Sequence, residues 1–134
     1  MPVNLTKDSI ELGIRTMNPD KMLAFYRDTL GLPYQAKLDM PGGDIMHRLQ
    51  CGDCIIKIVK PKAPPPAEAA PGGIPGATGY RYWTMYVSNL AEVLDEVRSA
   101  GYKVPVPETE LFPGVSIAIV EDPDGNWVEF VCQS

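Results

Sequence analysis

The chain has 134 residues, with 12 Lys and Arg against 17 Asp and Glu, which gives a formal net charge of −5. This length suits one compact domain, or two small halves that share a core. The negative balance disfavours non-specific attraction to nucleic acid or to an anionic membrane. No apolar run approaches the roughly 18 residues that span a bilayer, and the N-terminus lacks a secretory signal pattern. We therefore expect a cytoplasmic protein.

The first half of the chain predicts the element order β-α-β-β-β. Residues 9–16 alternate apolar and other side chains, which is typical of a strand with one face on a core. The sequence Asn-Pro-Asp at 18–20 predicts a helix start, and Gly31 predicts the helix end. Turn-forming residues then separate three further predicted strands, at about 32–38, 44–50 and 54–60.

The second half repeats this order after a Pro-rich segment at about 61–79, which is predicted to be an extended connector. A helix is expected between Asn89 and Gly101, which correspond to Asn18 and Gly31 of the first half. The remaining predicted elements are strands at about 80–87, 102–107, 115–121 and 127–132. Since each half alone is too small to bury a good core, we predict one domain, 1–134, built from two modules at about 8–60 and 80–134.

Two stretches of the chain resemble a known family. Residues 14–15 with 22–32 resemble the first-module signature of the vicinal oxygen chelate superfamily, and residues 121–131 are similar to its closing strand-turn-strand. That superfamily includes glyoxalase I, extradiol dioxygenases, bleomycin-binding proteins and methylmalonyl-CoA epimerase. The resemblance implies an α+β, glyoxalase-like fold, in which two β-α-β-β-β modules curl their sheets around a cavity for a small-molecule ligand, and it implies a homodimer. One fold hosts many activities, so the function depends on the residues of the site.

In the metal enzymes of the family, four side chains on the first and last strands of the modules hold the ion. The corresponding residues of this chain are Glu11, Lys57, Tyr82 and Glu129, where the family usually has His, Glu, His and Glu. Lys57 brings a positive charge and Tyr82 is a poor ligand for the ions concerned, so the usual site cannot form. We therefore expect no metal and no other cofactor. The alternative is a divalent ion held by a reduced set of Glu11, Glu129 and His47.

The leading functional hypothesis is a metal-independent isomerase, epimerase or lyase that acts on a small carbonyl-bearing molecule. Lys57 would hold one carboxylate ionised, while the nearby second carboxylate would have a raised pKa. This hypothesis makes Glu129 the base, Glu11 the partner acid and Tyr82 the hydrogen-bond donor to a carbonyl or enolate. The structural alternative is that these residues form a salt-bridge network without chemistry.

The second functional hypothesis is a protein that binds or sequesters a small molecule without turnover. Trp127 should face the same side of its strand as Glu129, with Thr84 on the matching side of the strand at 80–87. Phe112 lies in a segment expected to frame the cavity mouth with the connector, and His47 is the further candidate contact. Aromatic walls with a few charges suit a flat or cationic ligand, and the metal-free bleomycin-binding branch of the family binds in this way.

The sequence Cys-Gly-Asp-Cys at 51–54 has two interpretations. A zinc site would need further ligands, for which only His47 and Cys132 are candidates. The favoured interpretation is a tight hairpin with Gly-Asp in the turn, flanked by two small residues. A redox-active C-x-x-C would be expected at the start of a helix, which this strand context lacks.

Overall fold

The computed structural model describes residues 2–134 and contains two four-stranded mixed sheets, each accompanied by helical segments. The chain divides into two compact units, Met1–Pro66 and Ala67–Ser134. The α+β class and the tandem β-α-β-β-β modules predicted from the sequence are therefore confirmed. Among the described residues, no helix is both long and apolar enough to cross a lipid bilayer.

The first module has the strand order β1-β4-β3-β2. Strand β1 runs parallel to β4, while the β2–β3 and β3–β4 pairs are antiparallel. The elements are β1 (Glu11–Arg15), α1 (Pro19–Leu23), a π-helical segment (Ala24–Thr29), β2 (Tyr34–Asp39), β3 (Ile45–Cys51) and β4 (Cys54–Lys60). The helical stretch contacts the sheet through β4.

The second module repeats this topology with the order β5-β8-β7-β6, and β5 again runs parallel to β8. Its elements are α2 (Gly73–Gly76), β5 (Tyr82–Tyr86), α3 (Leu90–Ser99), β6 (Val106–Phe112), β7 (Val115–Glu121) and β8 (Trp127–Gln133). Helix α3 packs on β7 and β8. The predicted bounds of β4 and β7 agree with the structure, and the connector contains the unpredicted short helix α2.

The helix of the first module begins and ends where the sequence predicts, but its interior differs. Asn18 occupies the N-cap position, where its side chain makes no capping hydrogen bond, and its backbone N–H donates to Thr16 Oγ1 at 2.9 Å. The last part is a π-helix, in which the neighbouring rings of Phe25 and Tyr26 are both fully buried. Gly31 follows with φ +78°, a conformation that costs glycine little.

The sixth strand is the element that the sequence places wrongly, at 102–107 instead of Val106–Phe112. The predicted segment 102–107 includes Pro105 and Pro107, which cannot donate to a strand ladder, and only its last two residues belong to the observed strand. The true strand is an edge strand that is exposed along most of its length. It therefore lacks the apolar alternation by which half-buried strands are found.

Candidate functional site

Two of the predicted site residues, Glu11 and Lys57, lie together on one face of the first module's sheet. Lys57 is paired with Gly13 across the parallel β1–β4 ladder, and alternation along β1 places Glu11 on the same face as Gly13. The Lys57 Nζ atom lies 3.5 Å from Glu11 Oε1. Both side chains are about 30% exposed, so this ion pair is partly desolvated.

Sequence reasoning missed two residues of this cluster, Lys7 and Arg48, of which Arg48 makes the larger number of contacts. Its guanidinium donates to both oxygens of Glu11, with Nη1–Oε1 at 3.1 Å and Nη2–Oε2 at 3.3 Å, and its Nε donates to Gln35 Oε1 at 2.8 Å. Lys7 Nζ adds a contact of 3.0 Å to Glu11 Oε2. The signal for Arg48 was the β3–β4 hairpin, whose register places it directly opposite Lys57.

These contacts keep Glu11 ionised. Hydrogen bonds from Arg48, and then from Lys7, lower the pKa of Glu11 from 4.5 to about 2, because they favour the charged carboxylate. Glu11 therefore holds no proton to donate near neutral pH, and its predicted role as the partner acid is not supported. We call Lys7, Arg48 and Lys57 the cationic face. One carboxylate offsets only part of its charge.

His47 lies on the opposite face of the same sheet. Successive strand residues point to opposite faces, so His47 faces away from its neighbour Arg48 and from Glu11. The Tyr34 hydroxyl and His47 Nδ1 are 2.7 Å apart in a hydrogen bond. Burial, followed by the charge of Lys37, lowers the pKa of His47, which favours the neutral ring.

This placement argues against the reduced metal set of Glu11, Glu129 and His47. Two of its three members belong to the first module and point away from each other, so they cannot share one ion. Within residues 2–134, no group of three or more His, Cys, Asp or Glu side chains has the arrangement of a metal site. The cysteines at 51 and 54 belong to no such group of described residues either.

The second module presents Glu129, Thr84 and Tyr82 on one face of its sheet. Thr84 lies directly opposite Glu129 in the β5–β8 ladder, and its hydroxyl donates to Glu129 Oε1 at 2.7 Å. Tyr82 is opposite Trp127 and its side chain is half exposed. Trp127 and Glu129 lie on the same face of β8, as the alternation of side chains along a strand predicts. The sequence analysis also predicts that Tyr82 and Glu129 lie close to Glu11 and Lys57, and this stays a prediction.

Trp127 is packed against its own module. Its Nε1 donates to Glu121 Oε1 at 3.2 Å, and Gly73 of the connector lies so close to the indole that any Cβ at position 73 would overlap the ring. This contact favours the structural role of Trp127 over that of an open aromatic wall. Phe112, the other predicted aromatic contact, ends β6 and is 65% exposed.

Arg81 holds the connector in this position. Its guanidinium donates to three backbone carbonyls, those of Gly73 at 2.7 Å, Ala70 at 3.0 Å and Pro71 at 3.2 Å. Charge-assisted hydrogen bonds of this kind are stronger than neutral ones. A cavity of about 250 Å³ lies beside Arg81, between the connector and the turn after β7. Its lining includes Tyr80 and Glu121 but none of the predicted site residues.

Comparison with known proteins identifies the family to which this geometry belongs. Residues 9–130 match the model of the Glyoxalase/Bleomycin resistance protein/Dioxygenase superfamily. Lactoylglutathione lyase from Agrobacterium tumefaciens is a structural neighbour with 25% identity and a TM-score of 0.65, over 92% of this chain and 91% of that one. No curated protein sequence matches the chain.

Two further solved structures share the fold at lower identity. A glyoxalase family protein from Bacillus cereus has 13% identity and a TM-score of 0.83, over 98% of this chain and 96% of that one. TioX from Micromonospora has 18% identity and a TM-score of 0.70, over 95% and 99%. At identities this low, structural similarity shows a shared fold and does not show a shared function. The function has to be argued from the residues of the site.

The ionisation of Glu11 predicts a specific pH dependence of stability. Because its folded pKa is depressed, its stabilising effect is fully present above about pH 4.5 and is lost as the pH falls through about 2. The variant Glu11→Gln should therefore melt below the wild type at pH 6, and the difference should shrink on acidification. Melting temperatures from pH 6 to 2 test this. The control is Glu96→Gln, at an exposed position of α3. A difference that is constant with pH would contradict the account.

The contact between Gly73 and Trp127 predicts an unequal response to two glycine substitutions. Both Gly73 and Gly79 have positive φ, but only Gly73 has a ring in the space that a Cβ would take. We expect Gly79→Ala to cost about 1 kcal/mol of backbone strain, and Gly73→Ala about 1–3 kcal/mol more from overpacking. Denaturant unfolding followed by Trp fluorescence measures both. Equal losses would show that the connector does not pack on Trp127.

Proposed function

Since the chain belongs to the Glyoxalase/Bleomycin resistance protein/Dioxygenase superfamily, we propose that it binds a small organic molecule with an anionic group, and that the cationic face holds this group. The observation that carries the proposal is the excess of positive charge around Glu11, to which Lys7, Arg48 and Lys57 are all paired. The chain as a whole is acidic, so this concentration of cations is a local feature of one sheet face.

Lys57 is the member of the cationic face with the most unused hydrogen-bonding capacity. Arg48 directs three of its N–H groups to Glu11 and Gln35, whereas the Lys57 ammonium has three donors and a 3.5 Å contact to Glu11. Its side chain is 28% exposed, and a partly desolvated cation attracts an anion more strongly than one in bulk water. We therefore assign the ligand's anionic group to Lys57, with Arg48 orienting Glu11 beside it.

The chemistry of this cluster selects the class of ligand. Lysine and arginine recognise carboxylate and phosphate oxygens through charge-assisted hydrogen bonds. A small 2-oxo acid has both such a carboxylate and the carbonyl group that the leading functional hypothesis expects of the substrate. Its enolate would be more negatively charged, and the same cations would stabilise it. The homodimer, the cytoplasmic location and the absence of a metal or cofactor stay predictions.

Exchange of one lysine tests the binding proposal. The Kd of pyruvate, measured by isothermal titration calorimetry, should rise roughly 10-fold or more in Lys57→Gln, because a charge-assisted hydrogen bond contributes about 1.5–3 kcal/mol. Lys37→Gln is the matched control, since Lys37 is exposed on the opposite face of the same sheet. It should leave the Kd within about twofold, the range expected for a screened surface charge.

Two outcomes of this titration would contradict the proposal. Equal weakening by the two substitutions would indicate a general effect of net charge instead of a site on the cationic face. Binding of the uncharged amide of pyruvate as tightly as pyruvate itself would show that the anionic group is not recognised.

A second candidate function is acid–base turnover, favoured by the geometry at Glu129. The Thr84 hydroxyl orients this carboxylate through Oε1, while Oε2 makes no hydrogen bond or ion pair within the described chain. Because Glu11 is ionised, it cannot act as the partner acid, and Glu129 is the candidate base on its own. Tyr82, on the same face as Glu129, is the candidate hydrogen-bond donor to an enolate. The neighbour that is a lactoylglutathione lyase supports chemistry next to a carbonyl group.

Proton exchange tests this second function. If Glu129 removes a proton from the carbon beside a carbonyl, the chain should catalyse deuterium incorporation into lactoylglutathione in D2O, followed by NMR. Glu129→Gln should slow the exchange about 100-fold or more, the usual contribution of a general base. Glu110→Gln, at an exposed position of the same sheet, should leave the rate unchanged. Exchange that persists in Glu129→Gln would exclude this role.

A further inference from the structure

The β3–β4 hairpin ends in two cysteines that lie directly opposite each other. Cys51 is the last residue of β3 and Cys54 the first of β4, and they form the terminal pair of the antiparallel ladder. Gly52, with φ +58°, and Asp53 make the turn between them. Directly paired residues of a ladder project their side chains to the same face of the sheet. Both thiols are therefore side by side, and both are free and partly exposed.

We propose that Cys51 and Cys54 form a dithiol modification site, which a small disulfide such as glutathione disulfide oxidises to a cross-strand disulfide. Directly opposed residues of an antiparallel pair have Cα atoms about 4.5–5.5 Å apart, and disulfides need a Cα separation of about 4.4–6.8 Å. The bond therefore requires no change of strand register. This site is distinct from a redox-active C-x-x-C of an oxidoreductase, because it lies at a strand end and not at a helix start.

The reaction proceeds by two thiol–disulfide exchanges. One cysteine thiolate, written here as that of Cys54, attacks a sulfur of glutathione disulfide, which forms a mixed disulfide and releases one glutathione thiolate. The Cys51 thiolate then attacks the Cys54 sulfur, which forms the intramolecular bond and releases the second glutathione. The two thiol protons end on the two glutathione molecules. The cysteine pair is oxidised by two electrons, and the glutathione disulfide is reduced by the same two.

The environment of Cys51 supports the closeness of the pair. Burial, followed by the charge of Cys54, raises the pKa of the Cys51 thiol, which is the effect expected when a second thiol lies nearby. Since the thiolate is the attacking species, the closing step should accelerate as the pH rises above neutrality. The third cysteine provides an internal control, because Cys132 lies in the second module and is paired with Ser116.

The experiment compares disulfide formation in the folded chain and in the same chain unfolded in urea, across a series of glutathione redox buffers at pH 8. Free thiols are blocked by alkylation, and the tryptic peptide 49–57, which holds both cysteines, is analysed by mass spectrometry. The disulfide is recognised by the loss of two hydrogen atoms and the absence of alkylation. We expect the folded chain to favour the disulfide about 10-fold or more over the unfolded chain, because the ladder already orders both residues.

Two variants control this experiment. Cys132→Ser should form the disulfide like the wild type. Cys54→Ser should stop at the mixed disulfide between Cys51 and glutathione, since no second thiol is present. The proposal is overturned if the folded chain forms the disulfide no more readily than the unfolded chain. It is also overturned if oxidation yields only mixed disulfides or links between chains in the wild type. Neither result depends on the ligand proposed for the cationic face.

Discussion

The interaction on which the proposed site depends is the set of contacts between the Glu11 carboxylate and three cations on one sheet face. Lys57 and Arg48 lie directly opposite each other in the β3–β4 ladder, and both contact the Glu11 carboxylate. The Glu11 carboxylate neutralises part of the positive charge of its neighbours. Arg48 orients this carboxylate by donating hydrogen bonds from Nη1 and Nη2 to its two oxygens. A partly desolvated cation without such a partner would be costly. The cluster is therefore held together by its own ion pairs, and one carboxylate leaves part of its positive charge unbalanced.

The two modules have the same topology and different surfaces. The first presents charged groups of both signs with an excess of cations, whereas the second presents a carboxylate, a threonine and partly exposed tyrosines. The second module also carries the connector, which Arg81 ties down by three carbonyl hydrogen bonds and which packs on Trp127. The same topology thus presents three cations around Glu11 in the first module and a carboxylate held by Thr84 in the second.

Features of the fold that depend on local sequence patterns, such as helix ends and the faces of strands, are predicted correctly from the sequence. The helix ends follow from Gly31 and Gly101, whose positive φ values suit glycine, and the shared face of Trp127 and Glu129 follows from strand alternation. Arg48 escaped notice because its role depends on register across the β3–β4 ladder, which pairs it with Lys57. The turn at 52–53 fixes this register, so the pairing follows from the whole hairpin and is not visible in the spacing along either strand alone.

Other differences have the same origin. The role of Glu11 as an acid was inferred from two carboxylates assumed to be neighbours, whereas the cations that surround it include two that the sequence analysis did not place there, Lys7 and Arg48. The contact of Gly73 with Trp127 joins residues far apart in the chain, so composition identified the connector without showing what it covers. The exposed strand β6 lacked an apolar pattern altogether.

The account is tested most directly by the titration of the Glu11 side-chain carboxyl, followed by carbon NMR in the intact chain. We expect an inflection near pH 2, because hydrogen bonds from Arg48 and Lys7 favour the ionised carboxylate. The inflection should move to higher pH in Arg48→Gln, since the hydrogen bonds from Arg48 are the largest cause of the low pKa. An inflection at or above 4.5 in the wild type would contradict this expectation. Such a value would mean that the cations do not surround this carboxylate and that the anion site proposed here does not exist.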